Sequence, residues 1–116
     1  MAVAWVRRRS VRARLSLERR RILPSMLFMV IERFKNRDAK AIYLRLKEKG
    51  RMMPDGLKYV GSWIETNFDR CFQVMECDDQ QLLHEWADRW RDLMDFEFVS
   101  VQTSQDARAM VLGEDV

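Results

Sequence analysis

The sequence predicts an α+β domain: two helices covering one face of a four-stranded antiparallel sheet. Three observations predict it. Apolar residues run at strand spacing over residues 26–34, 57–66, 70–77 and 95–103, and at helix spacing over 39–49 and 82–93. Turn and cap signals separate these stretches, among them Gly50 and the Pro54-Asp55-Gly56 turn. The resulting order is β-α-β-β-α-β, which is the ferredoxin-like split βαβ arrangement.

Each element has its own local reason. The six apolar residues from Met26 to Ile31 read as a strand buried on both faces. Asn36 or Asp38 then caps a helix in which Ala39, Ile42, Tyr43 and Leu46 form one apolar stripe. Lys47 and Lys49 suit its negative end, and Gly50 ends it. "LKYVGSWIET" and "RCFQVMEC" are rich in aromatic and β-branched residues and read as a hairpin closed by residues 67–69. Asp78 is expected to cap the second helix, with Gln81 completing a capping-box variant. Its inward stripe is Leu82, Trp86, Trp90 and Leu93, with Leu83 and Ala87 beside it. "DFEFVSVQT" supplies the fourth strand. A short helix over 105–112 follows, with Ala107, Met110 and Val111 as its apolar side and Gly113 as its stop.

The strands are apolar on both faces. Leu27, Met29 and Ile31 oppose Phe28 and Val30; Tyr59 and Trp63 oppose Val60 and Ile64; Cys71 and Met75 oppose Phe72 and Val74. Helices cover one face only. At roughly 25 cal/mol per Å² of apolar area, leaving the second face in water costs many kcal/mol. The simplest cover is an identical subunit, sheet against sheet, so a two-fold homodimer is expected.

The charge is unevenly distributed. Residues 1–25 carry eight arginines and one acid, a net of +7, whereas residues 26–116 carry a net of −4. The sequence therefore divides into a basic leader (1–25), a ferredoxin-like domain (26–104) and a tail with a short helix (105–116). The basic balance belongs to the leader, so the domain is not a basic nucleic-acid binder. Three readings of the leader compete: an organelle-targeting peptide, a basic arm for nucleic acid or anionic lipid, and upstream sequence attached by a mistaken start codon. The third is preferred, because the first strand opens directly at Met26.

No apolar run approaches the roughly 18 residues that span a bilayer, and the apolar start at residues 1–6 is too short for a secretory signal. No membrane partner is expected. Cys71 and Cys77 lie six residues apart in one strand, about 20 Å at strand rise, too far to pair with each other. Two free thiols favour a reducing, cytoplasmic location.

The blocks "MLFMVIERFKN", "KGRMMPDGLKYVGSW", "RCFQVMECDD" and "W-x-x-RW-x-DLMDFEFV" resemble a bacterial family of small proteins known only as a domain of unknown function (number thirty-three-oh-three). The resemblance covers about residues 26–103. It implies a ferredoxin-like fold in the style of dimeric α/β-barrel proteins and brings no activity or catalytic residue. The 25 residues ahead of Met26 are the main departure from it.

The candidate ligand pocket is centred on the hairpin, with Tyr59, Trp63, Arg70, Gln73 and Glu76 as its residues. Parity places Trp63 with Tyr59, and Gln73 opposite Arg70 and Glu76, so one cavity would need a β-bulge to collect them. The competing reading is that Trp63 packs in a dimer core and the polar groups satisfy rim contacts. His84, the only histidine, has Asp88 four residues on, which could poise a general base; the helix stripe instead turns it to solvent. One histidine and two cysteines of one strand make no zinc pattern, and no glycine-rich phosphate loop is present. Trp86 and Trp90 beside Arg89 and Arg91 invite comparison with base stacking, but a Trp pair four residues apart is a helix face packing on a sheet. No nucleic-acid partner is expected. The sequence thus implies a dimeric protein that is ligand-binding or structural, with no cofactor. The alternative is a cofactor-independent small enzyme, a monooxygenase or isomerase by analogy of fold.

Overall fold

A computed structural model describes residues 25–114. The readings of the leader concern residues outside that range. Four strands run in the order β2-β3-β1-β4, all antiparallel: β1 (Met26–Phe34), β2 (Lys58–Ile64), β3 (Arg70–Cys77) and β4 (Met94–Val101). The helices are α1 (Ala39–Lys49), α2 (Gln81–Asp88) and α3 (Ser104–Leu112). This is the α+β ferredoxin-like arrangement that the sequence predicts.

The central strand β1 sets the layers. Phe28, Val30, Glu32 and Phe34 point to one face and are buried there. On the same face β3 contributes Cys71, Gln73, Met75 and Cys77, and β4 contributes Met94. Ile42 of α1 and Leu83, Trp86 and Ala87 of α2 pack on these residues as one core, joined by Leu57 and Trp90. Burying large side chains in such a cluster is the main favourable term in folding.

Capping follows the sequence in part. Asp38 Oδ1 accepts from the Ala41 backbone N–H at 3.1 Å, which resolves the choice between Asn36 and Asp38. At α2 the capping carboxylate is Asp79 rather than Asp78: Asp79 Oδ1 accepts from Gln81 N–H at 2.9 Å. Gln80 already has helical dihedrals (φ −59°, ψ −25°), which moves the capping position one residue on. Asp78 instead accepts from the Ser25 hydroxyl at 3.3 Å.

Two predicted helix faces are redrawn. The α-helix stops at Asp88, and Arg89, Trp90 and Leu93 continue in tighter turns that donate to the carbonyls of Trp86, Ala87 and Trp90. The buried stripe is therefore Leu83, Trp86, Ala87 and Trp90, while Leu82 and Leu93 lie at its margin. In α3 the buried residue is Ala109; of the predicted apolar side Ala107 is half-buried, while Met110 is 73% and Val111 83% exposed and face outward.

The most consequential irregularity is in β2. Tyr59 pairs with Met75 and Gly61 with Val74, leaving Val60 as an extra residue, a β-bulge. The bulge inverts parity, so Tyr59 joins Ser62 and Ile64 on the helix-covered face while Gly61 and Trp63 lie on the opposite one. The expected pairing of Tyr59 with Trp63 on one side is thereby corrected.

The face away from the helix-packed core is ordered in rows. Gly61, Val74, Met29 and Val99 make one row, and Trp63, Phe72, Ile31 and Glu97 the next. Charged residues lie at both ends: Lys58 with Glu76, and Arg70 with Arg33 and Asp95. Trp63 is 62% exposed, and its indole lies over Gly61, where an added Cβ would meet it at 3.3 Å. A larger residue at 61 would displace the indole.

Candidate functional site

Beneath the helices, the sheet does not close. A cavity of about 80 Å³, partly open to solvent, lies among β1, β2, β3, α1 and the segment after α2. Its apolar wall includes Ile42, Leu46, Ile64, Trp86 and Trp90. Its polar lining is Glu32, Tyr43, Arg51, Ser62, Cys71 and Gln73. A cavity of this size exceeds the roughly 10–15 Å³ a single water requires.

Glu32 is the acid at the floor. It stands in β1 at a position whose parity belongs to the core, between Cys71 of β3 and Phe96 of β4, and is 4% exposed. Burial raises its pKa to about 7; a hydrogen bond from the Cys71 thiol and the charge of Arg51 act in the opposite sense. The same burial, with the adjacent carboxylate, pushes the Cys71 thiol up to about 12. Cys71 is thus a protonated donor at neutral pH rather than a nucleophile. Cys77, also free and buried, points to the same face of β3.

Arg51 forms the rim. Its guanidinium stacks on the Tyr59 ring at 3.7 Å and donates to Gln73 Oε1 at 3.3 Å. Its backbone is held too: the Nε1–H groups of Trp86 and Trp90 both donate to the Arg51 carbonyl, at 3.0 and 3.1 Å. Among the described residues, no carboxylate lies within 4 Å of this guanidinium. Gln73 completes the arrangement: 3% exposed, it accepts from Arg51 and donates to Met75 Sδ at 3.1 Å. The Tyr59 hydroxyl is hydrogen-bonded to Ser62 Oγ at 2.7 Å beside the cavity.

The five residues singled out in the sequence therefore divide. Gln73 lines the cavity, and Tyr59 supports it through Arg51 and Ser62. Trp63, Arg70 and Glu76 lie on the opposite sheet face. Arg70 is engaged there by a two-pronged ion pair with Glu65 (2.6 and 3.1 Å) and lies 5.1 Å from the Phe72 ring centroid. The cavity adds Glu32, Arg51 and Cys71, none of them among those five. His84 is not a plain surface residue: its ring meets Phe98 edge-on at 5.2 Å, and Asp88 pairs with Arg91 instead.

Fold and cavity together define a ferredoxin-like α+β protein with a polar-floored cavity between sheet and helices. The chain belongs to the family described as Domain of unknown function (DUF3303), whose profile matches residues 26–114. No curated protein and no solved structure matches it. No helix among the described residues is long and apolar enough to cross a membrane, and no cluster of three or more potential metal ligands occurs among them.

Proposed function

We propose that this chain is a small cytoplasmic homodimer that binds a small molecule in the cavity of each protomer. The observation that carries the reading is the convergence of Glu32, Arg51 and Gln73 on a partly open apolar cavity. Polar groups that converge inside an apolar recess fix a ligand's orientation, whereas apolar packing alone would have closed the space. Binding is favoured over catalysis because the cavity thiol is held protonated and the Ser62 hydroxyl is engaged by Tyr59.

The dimer reading rests on the sheet face away from the core. An apolar centre of Met29, Ile31, Trp63, Phe72, Val74 and Val99, bounded by charges at both ends, has the composition of an interface. The cytoplasmic reading rests on two free, buried thiols.

Trp86 and Trp90 border the cavity and report its occupancy. Titrating the full-length protein with a panel of small organic molecules should give a saturable change in tryptophan emission for at least one chemical class. A panel spanning acids, amides and amines that leaves the emission unchanged would overturn the reading.

A further inference from the structure

We infer that the cavity takes a small organic carboxylate with an apolar body, its anionic end at Arg51 and its hydrocarbon between Ile42, Leu46 and the two indoles. The inference rests on the ligand-binding reading and specifies its ligand class.

Arg51 carries the argument. A half-buried guanidinium normally has an acidic partner, since removing a charge from water without compensation is costly. Here the guanidinium lines the cavity with one 3.3 Å hydrogen bond, to a neutral amide, and no carboxylate within 4 Å among the described residues. Several of its five N–H donors remain for a ligand. Its position is fixed before any ligand arrives. The Tyr59 ring holds the guanidinium plane from one side, and two indole N–H groups hold the backbone carbonyl. A planar fork held in place suits a carboxylate, which it can meet with two parallel hydrogen bonds.

Glu32 lines the same cavity and does not close an ion pair with Arg51. Protonated, it offers an O–H donor to a bound carboxylate; ionised, it repels one. The charged and titratable groups that face it are Cys71 from β3, Tyr43 from α1 and Arg51 from the loop after α1; α2 and β4 present Trp86 and Phe96. Burial pushes Cys71 up to about 12 and raises Tyr43, so among these groups Glu32, at about 7, is the one that titrates between pH 6 and pH 8.

The test uses three probes of one shape and different charge on the full-length protein: hexanoate, hexanamide and hexylamine, followed by calorimetry and tryptophan emission. Hexanoate at pH 6 should bind at least tenfold more tightly than either neutral or cationic counterpart. Its affinity should fall roughly tenfold from pH 6 to pH 8 as Glu32 loses its proton, although hexanoate itself is ionised throughout. Arg51→Gln should erase the preference for hexanoate, bringing its affinity to within about twofold of that of hexanamide measured on the same variant. The charge series on the unmodified protein decides the matter even where that variant folds poorly. Equal or tighter binding of the amide or the amine overturns the carboxylate inference and leaves the cavity as a ligand site. Failure of all three probes to bind overturns both.

Discussion

Glu32 and Cys71 stand directly opposite each other across the β1–β3 ladder, on the face the helices cover. Each alters the other. The neighbouring thiol partly offsets the effect of burial on the carboxyl, while the carboxylate helps keep the thiol protonated. An acid in the middle of a central strand is therefore tolerated because it can hold a proton, has a donor opposite it and borders a cavity instead of a sealed core.

This pair makes stability depend on pH. In the folded chain Glu32 keeps its proton up to about 7, against an ordinary value of 4.5. Between these values the folded state binds more protons than the unfolded state, so stability declines as pH rises through that window. The contribution is full below the unfolded value and amounts to about 3 kcal/mol lost by pH 8. Glu32→Gln keeps the shape and removes the titration. Urea unfolding should show the variant close to the parent at pH 5 and about 2–3 kcal/mol more stable at pH 8. Parallel pH profiles for the two proteins would show that Glu32 does not titrate in this window.

The thiols should be inert in the folded protein. Cys71 is buried with its pKa pushed to about 12, and Cys77 is buried and shifted upward by the same desolvation. Thiolate is the reactive form, so both side chains lack the reactive state, and each exposes less than a tenth of its surface, Cys71 on the cavity wall. A disulfide reagent at pH 8 should label neither in native buffer and both in 6 M guanidinium, read by mass. Rapid native labelling of Cys71 would contradict the buried placement of the pair.

How far the sequence reveals this arrangement varies by element. The order of strands and helices is legible because it rests on apolar periodicity and on local turn chemistry, and Asp38 and Gly50 act as their positions suggest. The position of Glu32 was legible in principle: Phe28, Val30 and Phe34 share its parity and belong to the core, so an acid there is anomalous. Read as the end of an apolar run, it passes unnoticed. The bulge at Val60 had one signal, the isolated Gly61 in a strand. Arg51 had none. Its role depends on a ring from β2, an amide from β3 and two indoles more than thirty residues away, all brought together by the tertiary fold.

The two indoles should act as a coupled pair. Both N–H groups donate to the Arg51 carbonyl, whose two lone pairs accept both. Replacing either with phenylalanine leaves that carbonyl satisfied by the other, so each single variant should cost about 1–2 kcal/mol, mostly lost packing. The double variant strands the carbonyl and should cost about 1 kcal/mol beyond the sum of the singles. A double-mutant cycle by chemical unfolding measures this excess. Strict additivity would mean that the two bonds are independent.

Trp63 should separate assembly from folding. It is 62% exposed and lies across from Phe72 on the face turned away from the core, so it contributes little to the protomer itself. It stands on the edge strand β2 at one end of an apolar row, where a large exposed aromatic side chain can anchor a partner. Trp63→Lys places a charge there, and burying it without a partner opposes association by several kcal/mol. Sedimentation at micromolar concentration should give dimer mass for the parent protein and monomer mass for the variant, with the far-ultraviolet dichroism of the two alike. A parent protein that sediments as a well-folded monomer would remove the dimer. A variant that remains dimeric would move the interface elsewhere, with the outward-facing Met110 and Val111 of α3 as the next surface to alter.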